Sequence, residues 1–498
     1  MGIPFYFKML MSKYPAISSI RSSADNLFFD FNSIIHQAIQ INDANKTVFS
    51  MDNIFPHIIS QVEDVVNAIK PRESVYLVID GHCPMAKMHQ QRKRRYLSQN
   101  MNSLHVTPGT HFMDDLNARL TNYINEKNAN TNANKKALCW VLSDSNEEGE
   151  GEHKIFQFIK DHNTTDNVVY GLDADLIMLS IIATTHTLQR VSLLRDNVWI
   201  NIELLINAIK KEYNNIHIDD YIVICMMFGN DFMPPLSYLK VNAQDFDIVL
   251  KNFANSITTT SNQNQENILF NKTTFKLSFE NMYQLMSSIA STEDKRMIEI
   301  IESLPVESNI FYKGGQCRVK EWRQSYYQHL FCNGQSTNIV NICDNYLEAI
   351  QWNILYYYDY KQVSWSWYYR FEYSPTMLDL QNRLSFFVHN EKKKTENILN
   401  YYPSALTKEL LQENLDLHLL MVLPPSAYEL LRTDVARKIM LDVDSLCTHF
   451  YPTGFDKLKF LKNAEWEHIP ILPPLEVTRL LASLGGDSLR SLPHTPST

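Results

Sequence analysis

The chain has 498 residues, of which 45% are hydrophobic and 20% are charged, as in ordinary globular proteins. This length exceeds one ordinary domain and predicts two or three domains, each with its own core. The formal net charge of −9 excludes a basic field over the whole protein, so any nucleic acid must be bound through local positive charge.

The cysteines and the apolar runs limit the class of protein further. The seven cysteines are dispersed with no CxxC pair, which argues against a disulfide framework or a zinc ribbon. No apolar run approaches the roughly 18 residues of a membrane helix, and Pro4 and Lys8 interrupt the short apolar stretch at the amino end. We therefore expect an intracellular protein that contacts no membrane.

One pattern recurs through the first half of the chain. A short apolar run ends in an acidic residue, and a segment of helical length follows it. The runs are LFFD ending at Asp30, VYLVID ending at Asp80, LCWVLSD ending at Asp144 and VVYGLD ending at Asp173. This pattern predicts an α/β fold of parallel strands with helical crossovers. Because sites form at the carboxyl ends of such strands, we expect these acidic residues to meet.

The second half of the chain reads differently. The segment 255–267, NSITTTSNQNQEN, is polar and indicates a flexible loop or linker. We predict a first α/β domain over 1–254, a linker over 255–275, a mainly helical region over 276–485 and a disordered tail over 486–498.

Acidic residues at strand ends and in short acidic motifs form a candidate cation site. This acidic set consists of Asp30, Asp80, Glu150, Glu152, Asp173, Asp175 and Asp231. Carboxylates brought together repel one another unless cations lie between them, and Mg²⁺ takes oxygen ligands. Two such ions roughly 4 Å apart can activate a water and stabilise the leaving oxygen of a phosphodiester. Any single member could instead be a turn or helix-capping residue, but that interpretation does not account for the whole set.

The segment GHCPMAKMHQQRKRRYL carries a group of cations and amides. Lys87, Gln91, Arg94 and Arg95 stand at positions i, i+4, i+7 and i+8, which places them on one side of a helix, here called the basic face. Arginine forks and a lysine point charge suit a terminal phosphate. A solvated charged face or a nuclear-import patch at RKRR would explain the same residues. The neighbouring acidic set favours phosphate binding.

Three aromatic side chains are candidates for stacking on a base. His36 lies on the predicted helix after Asp30, and Trp365 and Trp367 lie in SWSWYYRFEYSP. Stacking on an aromatic plane is worth about 1–3 kcal/mol per base and does not require a particular base. Packing in a core is the alternative for each of the three, and the sequence leaves that choice open.

Several of these motifs resemble the Xrn-type 5′→3′ exoribonuclease family, in the order in which that family has them. They are MGIPFYFKMLMSKYP, FFDFNSIIHQ, VIDGHCPMAKMHQQRKRR, VTPGTHFM, GEGEHKI, YGLDADLIML, GNDFMPPL, NYLEAIQWNILYYYDYKQVSWSWYYRFEYSP, LHLLMVLPPSAYELL and EWEHIPILPP. The resemblance extends over roughly residues 1 to 475, and AKMHQQRKRR and YGLDADLIML are its most specific strings.

The resemblance implies a fold and a set of roles. The fold would be a parallel or mixed-sheet nuclease core of the flap-endonuclease or PIN-like type, with a mainly helical second conserved region packed on it. The acidic set would hold two Mg²⁺ ions, for which Mn²⁺ would substitute. The basic face would bind a 5′-phosphate. His36 and one of the two tryptophans, Trp365 or Trp367, would stack around the first nucleotide.

The sequence thus predicts a Mg²⁺-dependent 5′→3′ exoribonuclease that degrades 5′-monophosphorylated single-stranded RNA to 5′-mononucleotides, as in the turnover of decapped mRNA. A flap-endonuclease-like DNA nuclease shares the acidic strand ends, but AKMHQQRKRR and SWSWYY favour the exoribonucleases. A catalytically silent RNA-binding scaffold is the other alternative, and the intact acidic set argues against it. We expect a cytoplasmic monomer, and decapping factors are partners that the sequence does not identify.

Overall fold

A central sheet organises the first half of the chain. The computed structural model describes residues 2–3, 5–19, 23–129, 138–162, 164–187, 189–214, 216–259, 268–304, 311–313, 316–317, 319–331, 338–390, 406–460 and 467–485. Its main strands are β1 (Asn26–Asp30), β2 (Ser74–Val78), β3 (Cys139–Ser143), β4 (Asp166–Tyr170), β5 (Arg190–Arg195) and β6 (Val198–Asn201).

The order of the strands places a crevice in the middle of the sheet. The order is β3-β2-β1-β4-β5-β6, in which the first five strands are parallel and β6 is antiparallel to β5. Strands β2 and β3 extend the sheet on one side of β1. The chain then returns to the other side of β1, where β4, β5 and β6 follow in order. In doubly wound sheets a ligand binds at the carboxyl ends of the strands at such a switch point. The predicted α/β class with a mixed sheet is confirmed.

Helices cover both faces of this sheet. The helices of the first half are α1 (Tyr6–Lys13), α2 (Asn32–Ala44), α3 (Met51–Ile69), α4 (Met85–Leu97), α5 (His111–Ala129), α6 (Gly151–Asp161), α7 (Asp175–Thr187), α8 (Ile202–Glu212), α9 (Ile218–Met226) and α10 (Ala243–Thr259). Alternate residues of β1 point to opposite faces. Phe28 joins the core that contains Ile155 of α6, whereas Phe29 joins the core that contains Ile58 of α3. Burial on both faces explains why the middle of each strand is mainly apolar.

The second half is mainly helical, as predicted. Its helices are α11 (Phe279–Ala290), α12 (Glu293–Ser303), α13 (Trp322–Leu330), α14 (Ile339–Tyr358), α15 (Met377–His389), α16 (Lys408–Glu413), α17 (Leu415–Val422), α18 (Asp434–Leu441) and α19 (Val477–Ser483). Short antiparallel ladders join β7 (Phe270–Asn271) to β8 (Lys276–Leu277), β9 (Tyr312–Lys313) to β10 (Gln316–Cys317), and β11 (Lys457–Leu458) to β12 (Ile469–Pro470). Helix α14 packs on α7 and α9, and α17 packs on α4, so this half lies against the helices around the crevice.

The predicted linker over 255–275 lies only partly within the described residues. Helix α10 extends to Thr259, so the linker prediction begins inside a helix. At its other end Leu269 and Phe270 are buried, and the Leu269 N–H donates to Asp220 Oδ1 at 2.8 Å. The polar composition of the segment concealed the last helical turn and these anchors. The domain division stays a prediction, and the predicted tail over 486–498 lies outside the described residues.

In the part of the chain that the structure describes, no helix has the length and apolar character needed to cross a bilayer.

Candidate functional site

The acidic set lies together at the carboxyl edge of the sheet. Three members follow parallel strands, since Asp30 ends β1, Asp80 comes two residues after β2, and Asp173 comes three residues after β4. The others lie on helix starts and a loop: Glu150 immediately before α6, Glu152 in its first turn, Asp175 at the first position of α7, and Asp231 after α9. Residues distant in sequence therefore converge on the switch point of the sheet, as the strand-end pattern predicts.

Local backbone structure fixes the carboxylate of Asp80. The Gly151 N–H, at the start of α6, donates to Asp80 Oδ1 at 2.6 Å, and Asn32 Nδ2 donates to Asp80 Oδ2 at 2.9 Å. The positive end of the α6 dipole faces this carboxylate. A Cβ on Gly151 would lie 3.2 Å from Asp80 Oδ1 and 3.4 Å from Asp30 Oδ1, so a larger residue would crowd both acids.

The amino-terminal segment closes one side of the cluster. Gly2 has a φ of +52°, and a Cβ at this position would lie 2.3 Å from Asp175 Oδ1. Only glycine tolerates both this conformation and this approach. Helix α1, which follows, is held by a 2.7 Å hydrogen bond between the hydroxyls of Tyr6 and Tyr221. The start of the MGIPFYF motif thus packs directly against a member of the acidic set.

Burial and mutual repulsion raise the pKa of four members of the set. Burial is the main cause that raises the pKa of Glu150 to about 7 and that of Asp175 to about 6. Burial, followed by the charge of Asp173, raises the pKa of Asp30 well above its ordinary value. Burial, followed by the charge of Asp175, does the same for Glu152. Holding these groups ionised side by side is therefore costly without additional positive charge.

One side chain of the protein supplies such a charge. The Lys87 ammonium is ion-paired with Glu150 and with Asp231, the latter at 3.0 Å from Nζ to Oδ2. Burial alone would lower the pKa of Lys87, but the charges of Glu150 and Asp231 outweigh it and raise that pKa well above its usual value. Burial likewise raises the pKa of Asp231, but positive charge that includes Lys87 outweighs it and lowers that pKa. The structure thus places Lys87 inside the carboxylate cluster rather than on an open face.

The other members of the basic face follow Lys87 along α4. Arg94 is exposed, and Gln91 and Arg95 are half-buried. Arg95 Nη1 donates to Gln91 Oε1 at 2.9 Å, and burial lowers the pKa of Arg95 to about 10. Burial, followed by the charges of Arg94 and Arg95, lowers the pKa of His36 to about 4. A neutral imidazole therefore lies near these guanidinium groups.

The two tryptophans of the SWSW segment are both buried. The Trp367 ring stacks on Trp352, with centroids 5.2 Å apart and planes 24° apart, and its Nε1 donates to Glu348 at 3.3 Å. The Trp365 carbonyl accepts from the Met85 N–H at 2.8 Å, at the start of the helix that carries the basic face. Trp365 Nε1 has no hydrogen-bond partner in the described chain. Neither indole makes a ring contact with His36 within those described ranges.

Sequence reasoning missed two residues of the site. His153, next to Glu152 in α6, has a ligand atom within 4.8 Å of those of Glu150 and Glu152, the one such group of three found among the described residues. The GEGEHK motif contained this signal. The Tyr357 hydroxyl donates to Asp175 Oδ1 at 2.5 Å. That contact joins residues far apart in sequence, and no local pattern indicates it.

Comparison with known proteins gives two matches to family models. The model described as the XRN 5′-3′ exonuclease N-terminus matches residues 1–105 and 97–197. The model described as the Xrn1 helical domain matches residues 210–302 and 316–486. The second model begins upstream of α9, so the match that contains Asp231 is to the helical domain rather than to the N-terminus.

Curated relatives carry names from the same family. Human 5′-3′ exoribonuclease 1 is 26% identical over 97% of this chain and 34% of its own length. The Saccharomyces cerevisiae 5′-3′ exoribonuclease 1 is 24% identical over 97% of this chain and 43% of its own length. The Arabidopsis thaliana 5′-3′ exoribonuclease 2 is 23% identical over 97% of this chain and 67% of its own length. The chain thus spans about a third of the length of the human relative. It belongs to the Xrn-type 5′→3′ exonuclease family.

Proposed function

We propose that this chain is a Mg²⁺-dependent 5′→3′ exoribonuclease that acts on single-stranded RNA with a 5′-monophosphate and releases 5′-mononucleotides. One observation carries the proposal: the acidic set adjoins the basic face of α4, and Lys87 joins the two through Glu150 and Asp231. Membership of the family, and relatives that are named 5′-3′ exoribonucleases, support it.

The acidic set fits a pair of hard divalent cations. Its donors are carboxylate oxygens, which Mg²⁺ prefers and Mn²⁺ also accepts. Glu150 Oε1 is buried with no hydrogen-bond partner in the described ranges, and burial raises the pKa of Glu150 to about 7. When bound, such ions would activate the attacking water and neutralise the charge that develops on the phosphodiester.

The basic face would hold the leading end of the strand. The exposed Arg94 offers a guanidinium fork for the 5′-phosphate, and Gln91 and Arg95 extend the same surface. His36, neutral beside these arginines, would offer an aromatic plane to the first base. For the opposite side we favour Trp365, because Trp367 is stacked and hydrogen-bonded within the core. A pocket sized for one phosphate would refuse a capped end.

The deciding experiment is a time course on 3′-end-labelled and 5′-end-labelled RNA with 5′-phosphate, 5′-hydroxyl or capped termini. We expect rapid release of labelled mononucleotide from the 5′-phosphate RNA only with Mg²⁺, slow attack on the 5′-hydroxyl RNA, and none on the capped RNA. Degradation of capped and 5′-phosphate RNA at equal rates would contradict the proposal. Matched single-stranded and flap DNA substrates test the DNA-nuclease alternative, and binding without turnover would indicate a scaffold.

The cellular setting is part of the same proposal. We place the activity in the cytoplasm, in a monomer that degrades decapped mRNA. Size-exclusion chromatography with light scattering tests the oligomeric state, and fractionation of the source cells tests the location.

A further inference from the structure

A buried corner of the acidic set contains a nitrogen donor. Glu150, Glu152 and His153 are only 3%, 6% and 5% exposed, and their ligand atoms lie within 4.8 Å of one another. His153 Nε2 is 4.0 Å from Glu152 Oε1, beyond a hydrogen bond. Neither that nitrogen nor Glu150 Oε1 has a hydrogen-bond partner among the residues that the structure describes. Two of these three residues thus each carry a buried polar atom without a partner.

Core packing does not account for these unpaired atoms. A buried polar atom without a partner costs about 1–3 kcal/mol, so a role in packing alone would favour an apolar ring at position 153. The 4.0 Å between His153 Nε2 and Glu152 Oε1 leaves these two donor atoms close enough to bind one cation together after a small adjustment of either side chain.

Neighbouring rings hold the imidazole in place. His153 stacks on Tyr360, with centroids 4.8 Å and planes 21° apart, and meets Tyr356 edge-on at 4.1 Å and 73°. Both tyrosines come from the helical half of the chain, at the end of α14 and just beyond it. Metal-binding histidines are usually oriented by a hydrogen bond from the second ring nitrogen, and here packing between two rings fixes the orientation.

We propose that His153 supplies a nitrogen ligand to a cation that Glu150 and Glu152 also bind. The inference rests on the proposed function, because it requires that the acidic set binds divalent ions. Imidazole suits Zn²⁺ and other transition ions, whereas Mg²⁺ prefers oxygen. This corner of the site therefore selects transition ions over Mg²⁺, and Zn²⁺ competes there with the activating ion.

Pulsed electron paramagnetic resonance of the full chain with bound Mn²⁺ tests the ligand directly. We expect the signature of a directly bonded ¹⁴N nucleus, which changes to that of ¹⁵N when the histidines are isotopically labelled. The signal is lost in His153→Gln and retained in the control His186→Gln. His186 lies on α7 with its Nε2 2.7 Å from Asp219, so its removal tests for a general effect of losing a histidine.

The outcomes separate this inference from the proposed function. Mn²⁺ bound through oxygen alone, or a nitrogen signal that survives in His153→Gln, would overturn the inference and leave the proposed function standing. Absence of Mn²⁺ binding would overturn both the inference and the proposed function. Calorimetric titration gives a second readout, in which His153→Gln weakens Zn²⁺ binding at least about tenfold and changes Mg²⁺ binding less than about twofold. If that variant fails to fold, the absence of an isotope-sensitive nitrogen signal in the unaltered chain would still overturn the inference.

Discussion

The acidic set and Trp367 of the SWSW segment were both predicted to serve the substrate, but folding treats their polar groups in opposite ways. In the SWSW segment, Trp367 stacks on Trp352 and donates to Glu348, so the folded chain provides partners for ring and N–H alike. In the acidic set, Glu150 is buried with its pKa raised to about 7, and its Oε1 has no partner in the described chain. Buried polar groups that lack partners lower the stability of the fold. Such groups are stronger evidence of a functional site than residues that match a sequence motif.

The largest expected effect is on turnover when one acid of the set is neutralised. Asp175→Asn keeps the shape of the side chain and an oxygen for the Tyr357 hydroxyl, but it removes a charge that the cations need. We expect kcat on 5′-phosphate RNA to fall by roughly 10³-fold, the scale of losing one electrostatic stabiliser. Asp434→Asn, at an exposed helix start, is the control. Activity within tenfold of the unaltered chain would show that Asp175 is not part of the catalytic centre.

The second expected effect is on stability, in the SWSW segment. Trp367→Ala removes a ring stacked on Trp352, and we expect the free energy of unfolding to fall by about 3–5 kcal/mol, as for other large buried aromatics. Urea denaturation measures this loss. If instead stability is unchanged and the KM for RNA rises, Trp367 contacts substrate and the contrast with the acidic set disappears.

The third prediction uses the pH dependence of stability without metal. The pKa of Asp175 is raised from 3.8 to about 6, so the folded state holds this proton more tightly than the unfolded chain does. In the unaltered protein, the free energy of unfolding that this proton contributes falls as pH rises from about 4 to 6 and is level above that range. The free energy of unfolding of Asp175→Asn should therefore rise relative to that of the unaltered protein through this window, by roughly 3 kcal/mol. Denaturation in EDTA measures it, and a difference that does not vary with pH would contradict the raised pKa.

The smallest effect concerns the open end of the basic face. Arg94→Ala should raise the KM for 5′-phosphate RNA by about tenfold with little change in kcat, because one charged hydrogen-bonding group is lost. The ratio of activity on 5′-phosphate RNA to activity on 5′-hydroxyl RNA should therefore fall. Lys93→Ala is the matched control, since the neighbouring lysine is paired with Glu372 instead. An unchanged ratio between the two RNAs would place the phosphate elsewhere.

The sequence predicted what depends on local patterns. Apolar runs that end in acids predicted the strands and their shared edge, and the spacing from Lys87 to Arg95 predicted the helix that α4 forms. Contacts between distant segments could not be predicted in this way. The pairing of Lys87 with Asp231 depends on how α4 packs beside the loop after α9. The hydrogen bond from Tyr357 to Asp175 depends on how the two halves pack. The burial of Trp365 was equally hidden, because an aromatic run has the same composition in a core and on a surface.

If the proposed function holds, the position of Lys87 has a consequence for the protein when divalent cations are scarce. Its ammonium lies between Glu150 and Asp231, where it acts as a built-in counter-ion and offsets part of their repulsion. Removal of the ion by a chelator should therefore stop activity without unfolding the protein, and addition of the ion should restore activity without refolding. A tethered charge of this kind should hold the carboxylates in position, so that recovery requires only binding of the ion.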